Sequence, residues 1–228
     1  MKTGRLSAFF VFLGGQIPTA LSRKIELSGE RIALGSFFRQ QGFTFCIVPN
    51  RFEIIKLALN EFSHNFVYLE FGVAQGVITS LVSEQTQGKS VEIHGFDTFE
   101  GLHHPHNEYV GKQSFTNMGR TPNINDNRIE WHVGYFEDTF FGNEKYLSKQ
   151  KFIVLDCDLY TSTNEVLKKL TPNLIAGDLI YFDDLHVPNQ ERLALLEFIR
   201  SGVRIEAVTR SREGRSALFR ILGPSIES

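Results

Sequence analysis

Residues 66–76 read FVYLEFGVAQG, and the fold turns on them. The first six positions are aromatic, β-branched or apolar apart from Glu70, the composition of a short buried strand. Gly72 and Gly76 then open a turn, and a helical pattern follows over 77–85. Strand, glycine turn and helix in succession are the repeating unit of a parallel sheet covered on both faces.

The alternation continues down the chain. Strand-like runs stand at 91–96, ending on Asp97, and at 129–133, 152–155 and 179–182. Between them lie helical patterns over 163–170, with Ser162 as its expected N-cap, and over 190–200, closed by Gly202. The runs at 203–208 and 217–222 are separated by a short turn, which predicts an antiparallel hairpin at one edge of the sheet. A polar stretch over 103–127 reads as a long loop. Upstream, 25–39 is loosely helical, Gly42 and Pro49 break the chain, and RFEIIKLALNEF at 51–62 spaces Ile54, Ile55, Leu57, Ala58 and Phe62 as an amphipathic helix. The expectation is α/β: residues 63–228 forming the sheet domain, and 1–62 a helical extension or lid belonging to the same domain.

The composition excludes several classes. At 228 residues, with 24 basic and 26 acidic side chains and a net charge of -2, there is no footprint for a phosphate backbone, so nucleic acid is not an expected partner. No stretch approaches the ~20 apolar residues of a spanning helix. Lys2 and Arg5 precede a short apolar stretch at 8–13, too short and without a fitting cleavage site to read as an export signal. The two cysteines, Cys46 and Cys157, are expected to be buried and unpaired, which suits a reducing cytoplasm.

In sheets of this kind ligands bind at the carboxyl ends of the strands. The first strand ends at Glu70 and Gly72; the next ends at Asp97, 25 positions after Gly72. That spacing suits an acid accepting hydrogen bonds from ribose hydroxyls. A nicotinamide site needs glycine at 72, 74 and 77, and the chain has Gly72, Ala74 and Val77, so an oxidoreductase is poorly supported. S-adenosylmethionine has no pyrophosphate to cradle, and Glu70 beside its ammonium with an open Gly72/Gly76 turn would suffice. A turn with no ligand is the plain alternative for this loop alone.

The later strands end in acids: Asp156 and Asp158 in LDCDLY, Asp183 and Asp184 in YFDD. Residues two apart on an extended chain point the same way, so Asp156 and Asp158 are expected to converge. Four carboxylates beside an apolar sheet call for neutralisation, and oxygen-only ligands suit a hard cation such as Mg²⁺. The plain alternative is that Asp183 or Asp184 caps the helix after it. His103, His104 and His106 cluster in the long loop, better read as substrate-lining or solvent-facing than as a second metal site. His186 reads as a surface residue or a substrate contact.

Taken together, EFGV with Gly76, GFDTFEGL (95–102), GYFEDT (134–139), LDCDLY (155–160) and FDD (182–184) resemble the macrocin O-methyltransferase family. The resemblance implies a seven-stranded Rossmann-like methyltransferase sheet that uses S-adenosylmethionine and Mg²⁺ to methylate a sugar hydroxyl. It implies that Glu70, Gly72, Val73, Gly76, Asp97, Thr98 and Asp156 hold the cofactor, with Gly134, Tyr135 and Phe136 bordering the adenine. Asp156, Asp183 and Asp184 would hold the metal and Asp158 would be the general base. A phenolic acceptor such as a catechol, or a catalytically silent S-adenosylmethionine-binding protein, stays open at this point. Phe-rich elements near the N-terminus, expected to be exposed, leave room for a homodimer.

Overall fold

A computed structural model describes residues 18–63, 65–101 and 115–224. His103, His104 and His106 lie outside the described residues, as does the charged and apolar start of the chain. Helix α1 (Thr19–Gln40) leads into strand β1 (Cys46–Val48) and helix α2 (Arg51–Glu61). Then come β2 (Phe66–Phe71), α3 (Val77–Gln85), β3 (Val91–Asp97), β4 (Ile129–Val133) and a single turn of helix, α4 (Phe136–Thr139). The chain ends with β5 (Lys151–Leu155), α5 (Tyr160–Leu170), β6 (Leu179–Phe182), α6 (Glu191–Arg200), β7 (Val203–Ser211) and β8 (Ala217–Pro224).

These strands make one sheet in the order β1-β7-β8-β6-β5-β2-β3-β4. All pairings are parallel except those of β8, which runs antiparallel to both β6 and β7. The expected α/β sheet is present with one strand more than seven. Residues 46–48, which the breaks at Gly42 and Pro49 left unassigned, pair parallel with β7, Cys46 opposite Thr209 and Val48 opposite Ser211. Consequently the β7–β8 hairpin is not at the edge, as the sequence suggested, because β1 covers it.

Alternate residues of each strand feed opposite faces, the period-2 rule of a pleated chain. On β2, Val67, Leu69 and Phe71 join Leu167 and Leu170 of α5 and Leu195 and Phe198 of α6. Phe66 and Tyr68 face the other way, onto Ile55 and Leu59 of α2 and Ile78 and Val82 of α3. Both faces are therefore covered, and every residue of β2, β5 and β6 is buried. Helix α2 starts where expected, capped by Asn50, whose side chain accepts from the backbone N–H of Phe52 at 3.0 Å and Glu53 at 3.2 Å. Phe38 of α1 packs on Phe45, which in turn meets Phe219 of β8, so the phenylalanines near the N-terminus serve the core.

Two local expectations fail. Helix α5 begins at Tyr160, not after Ser162, because the Tyr160 N–H is satisfied from outside by the Gln190 side chain at 2.8 Å. Cys46 is exposed on the edge strand rather than buried; Cys157 is buried, and both are free thiols. None of the described helices is long and apolar enough to cross a membrane.

Candidate active site

The carboxyl ends of β2, β3, β5 and β6 open together onto a cavity of about 740 Å³. Its lining includes Glu70, Gly72, Val73, Asp97, Thr98, Gly134, Tyr135, Phe136, Asp156, Asp158, Asp183 and Asp184. Gly76 is the exception among the residues expected to hold the cofactor, the metal or the proton. It takes a left-handed φ of +75° at the start of α3, where an added Cβ would stand 2.8 Å from the Pro122 side chain. It shapes the turn without lining the cavity.

Gly72 is demanded more strictly. Its φ is +90°, and a Cβ there would lie 1.9 Å from the Asp156 carbonyl oxygen. The loop after β2 thus lies directly on the end of β5, tied by the Asp156 N–H donating to the Phe71 carbonyl at 2.9 Å. Asp97 holds the same loop from the other side. One of its oxygens accepts from the N–H groups of Val73 and Ala74, both at 2.8 Å, and the other from Phe99 at 2.7 Å. A carboxylate has about four lone-pair sites, so one remains for a ligand hydroxyl. The Gly134 N–H donates to the Asp97 carbonyl at 3.0 Å, which seats the 134–136 loop beside it.

Glu70 is almost wholly buried and accepts from Tyr68 Oη at 2.7 Å and Thr79 Oγ1 at 2.5 Å. Burial pushes its carboxyl up to about 7, despite those two donors. A buried acid in that state is one that a cationic amine in the cavity would return to its ionised form.

The acidic end is more crowded. Strand β5 stops at Leu155, so the alternation expected to align Asp156 with Asp158 does not apply. Instead Asp158 sits at φ +61° in the middle of a tight turn in which the Leu159 N–H reaches the Cys157 carbonyl at 2.6 Å. Both acids still line the cavity. Burial, then the charges of Asp183 and Asp158, raise Asp156 well above the usual carboxylate range. Burial, then Asp184 and Asp183, raise Asp158 to about 7. Asp184 goes the other way: burial opposes its ionisation, but His186 and Arg215 overcome this and hold it at about 2. Neither Asp183 nor Asp184 caps a helix, since α6 begins with Gln190 at its cap.

Three residues of this end escaped the sequence reading. Arg51, at the first turn of α2, places Nη1 3.1 Å from Asp183 and 3.8 Å from Asp156. Arg215, in the turn before β8, donates to Asp184 at 2.6 Å. Glu191, fully buried, accepts from the backbone N–H groups of Cys157 at 3.1 Å and Asp158 at 3.2 Å on one oxygen and of Asp184 at 2.9 Å on the other. It ties the two acidic loops together. His186 stands 3.4 Å from Asp184 and does not line the cavity.

Five carboxyl groups (Asp156, Asp158, Asp183, Asp184 and Glu191) thus face two guanidinium groups. The donor set is all oxygen and its charge is under-compensated, as the raised Asp156 and Asp158 show. In chemistry it fits a hard divalent cation. The acids are not drawn together as ligands, however: among the described residues, the set of three such groups whose ligand atoms lie within 4.8 Å of one another is His94, Glu130 and His132, elsewhere in the fold. Arg51 stands where a cation would gather Asp156 and Asp183.

A seven-stranded core with one antiparallel strand, and a glycine loop and acids around a cavity at its carboxyl edge, define a class I methyltransferase. The chain belongs to the macrocin O-methyltransferase (TylF) family, whose sequence signature matches residues 67–211, and it is accordingly an O-methyltransferase. No curated protein matches it in sequence. Among solved structures it is similar to the O-methyltransferase NovP, at a TM-score of 0.60 and 15% identity over 75% of this chain and 79% of that one. It is also similar to CalS11, a TDP-rhamnose 3′-O-methyltransferase of calicheamicin biosynthesis, at 0.52 and 21% over 74% and 78%. A third is an O-methyltransferase from Bacillus cereus in complex with SAH, at 0.50 and 16% over 85% and 90%. At these identities the likeness speaks for the fold.

Proposed function

We propose that the chain transfers a methyl group from S-adenosylmethionine to a hydroxyl of a sugar or glycoside, with Mg²⁺ at the acidic end of the cavity. The observation that carries this is the placement of Asp158. It lines the same cavity as the Gly72 loop and Asp97, and burial sets it near the pH at which a general base works best. Sugar acceptors are favoured over phenols by membership of the family and by the likeness to a rhamnose O-methyltransferase.

In this reading Asp97 presents its remaining lone pair to the ribose, Glu70 faces the methionine ammonium, and Tyr135 and Phe136 flank the adenine. Asp156, Asp183 and Asp184 would hold Mg²⁺, which when bound supplies Lewis acidity toward the acceptor hydroxyl. Asp158 takes the hydroxyl proton as the acceptor oxygen bonds the methyl carbon and the carbon–sulfur bond breaks. The fixed strand ends supply orientation, from which much of such an acceleration comes. From the described part of the N-terminal extension, Arg51 of α2 reaches into the cavity, where it would contribute to covering the substrate. The exposed Leu21, Ile25 and Ile32 of α1 support a homodimer through that helix, and the free thiols fit a cytoplasmic setting.

The test is turnover with labelled S-adenosylmethionine against glycosides and catechols, with Mg²⁺ and with EDTA. Glycoside methylation that EDTA abolishes and Asp158→Asn removes, while S-adenosylmethionine still binds by calorimetry, is the expected result. Methylation of catechols alone would overturn the sugar assignment, and full activity in Asp158→Asn the assignment of base.

A further inference from the structure

Strands β3 and β4 carry a second group of ligand-type side chains, away from the cavity. His94 Nδ1 lies 3.1 Å from His132 Nε2, and Glu130 brings one oxygen to 3.5 Å from His94 Nδ1 and the other to 4.0 Å from His132 Nε2. A zinc ion bound by imidazole nitrogens at about 2.0–2.1 Å in a tetrahedron sets neighbouring donors about 3.3 Å apart. The two imidazole nitrogens already stand close to that spacing, and one ligand atom from each of the three residues lies within 4.8 Å of the others.

The surroundings fit an ion as well. The His94 ring is buried and stacked on Tyr146 at 4.0 Å, while His132 stacks on Phe96 at 4.2 Å, so both ring planes are fixed. Metal-bound imidazoles characteristically donate their other N–H to a carboxylate. Glu92 Oε2 stands 3.9 Å from His94 Nε2, the nitrogen facing away from His132. That nitrogen, Tyr146 Oη and Glu144 Oε2 are buried without a hydrogen-bond partner among the described residues. Polar atoms are seldom left so, and here three of them adjoin the histidine pair.

We propose that His94, His132 and Glu130 form a zinc-type transition-metal site that clamps the edge strand β4 to β3. Its place gives it a consequence for the cavity. His94 lies three residues before Asp97 and His132 two before Gly134, so a metal here braces the strands that deliver both loops. The nitrogen donors separate it from the all-oxygen set at Asp183, which suits a harder cation. It stands independently of the reading of the cavity.

The test is calorimetric titration of the full chain with Zn²⁺ in excess Mg²⁺, paralleled by Co²⁺ absorption and by thermal melting. His132 and Glu130 are the variants to use, since neither is in the buried core. We expect one equivalent of Zn²⁺ at sub-micromolar Kd, tetrahedral Co²⁺ bands and a raised Tm. His132→Ala should weaken binding at least tenfold and remove the Tm shift, Glu130→Gln should weaken it less, and Asp183→Asn should leave it intact. Absence of zinc binding, binding undiminished in His132→Ala, or binding lost in Asp183→Asn would each overturn the proposal. In the first case the two imidazoles would simply share an N–H.

Discussion

Glu191 Oε1 accepts the backbone N–H of Asp158 at 3.2 Å while its other oxygen accepts that of Asp184 at 2.9 Å. One buried carboxyl therefore sets the spacing of the two acidic loops. In Glu191→Gln an amide NH₂ replaces one acceptor and opposes a buried backbone N–H. The expected cost is about 1–3 kcal/mol, the penalty of an unsatisfied buried group, read from the denaturant midpoint. Turnover should fall more than S-adenosylmethionine affinity, because the acids move and the Gly72 loop does not. An unchanged midpoint would show that Glu191 is not the strut.

Gly72→Ala sets a methyl into the Asp156 carbonyl, 1.9 Å from its oxygen, at a φ that alanine rarely adopts. The loop or the end of β5 must shift. S-adenosylmethionine binding should be lost and Tm lowered. Gly88→Ala, where a Cβ meets nothing within 4 Å but φ is also positive, isolates the backbone share of the effect.

Arg51 already pairs with the oxygens of Asp183 and Asp156 that the proposed Mg²⁺ would take. Arg51→Gln should therefore tighten Mg²⁺ binding several-fold in calorimetry. Weaker binding in this variant would mean that Arg51 supports the metal site or that the metal lies elsewhere.

The pH dependence follows from opposed shifts. Burial pushes Glu70 and Asp158 up to about 7 in the fold from their ordinary 4.5 and 3.8, so the folded state holds protons the unfolded chain has released. Their contribution is complete below pH 4 and is lost as pH rises to 7. Asp184, held at about 2, contributes stability above pH 4 that is lost as pH falls toward 2. Without divalent cation, Tm should be higher at pH 5 than at pH 8, and Asp158→Asn should flatten part of that slope. Equal Tm at both values would contradict these burial effects.

Lys151 and Asp178 form an ion pair at 2.9 Å with no exposure of either side chain. Lys151→Met strands a buried acid and should cost about 3–5 kcal/mol. Asp178→Asn added to it should recover part of the loss, measured as a double-mutant cycle in denaturant.

Much of the site was legible because it consists of strand ends. An apolar run that stops at Asp97, Asp156 or Asp183 announces which side chain faces the carboxyl edge, and local pattern suffices for that. What escaped was set by distant contacts. Glu191 reads as an ordinary first-turn acid until Cys157, Asp158 and Asp184 arrive above it from other loops. Arg51 and Arg215 lie far from the acids in sequence. The start of α5 was misplaced because its cap comes from Gln190, and local cap chemistry pointed to Ser162. Residues 46–48 are too few to show a period, and only their partner at 209–211 makes them a strand.

That pairing bears on how the chain is made. Cys46–Val48 leaves the ribosome well before its partner Thr209–Ser211. Closing contacts so far apart is slow, so during synthesis the early segment waits with its backbone groups unpaired. Once docked, it occupies the outer side of β7 and blocks the addition of a foreign strand there. A chain lacking the β7–β8 hairpin should therefore show aggregation nucleated at both ends of the missing pairing, the early strand and the uncovered flank of β6.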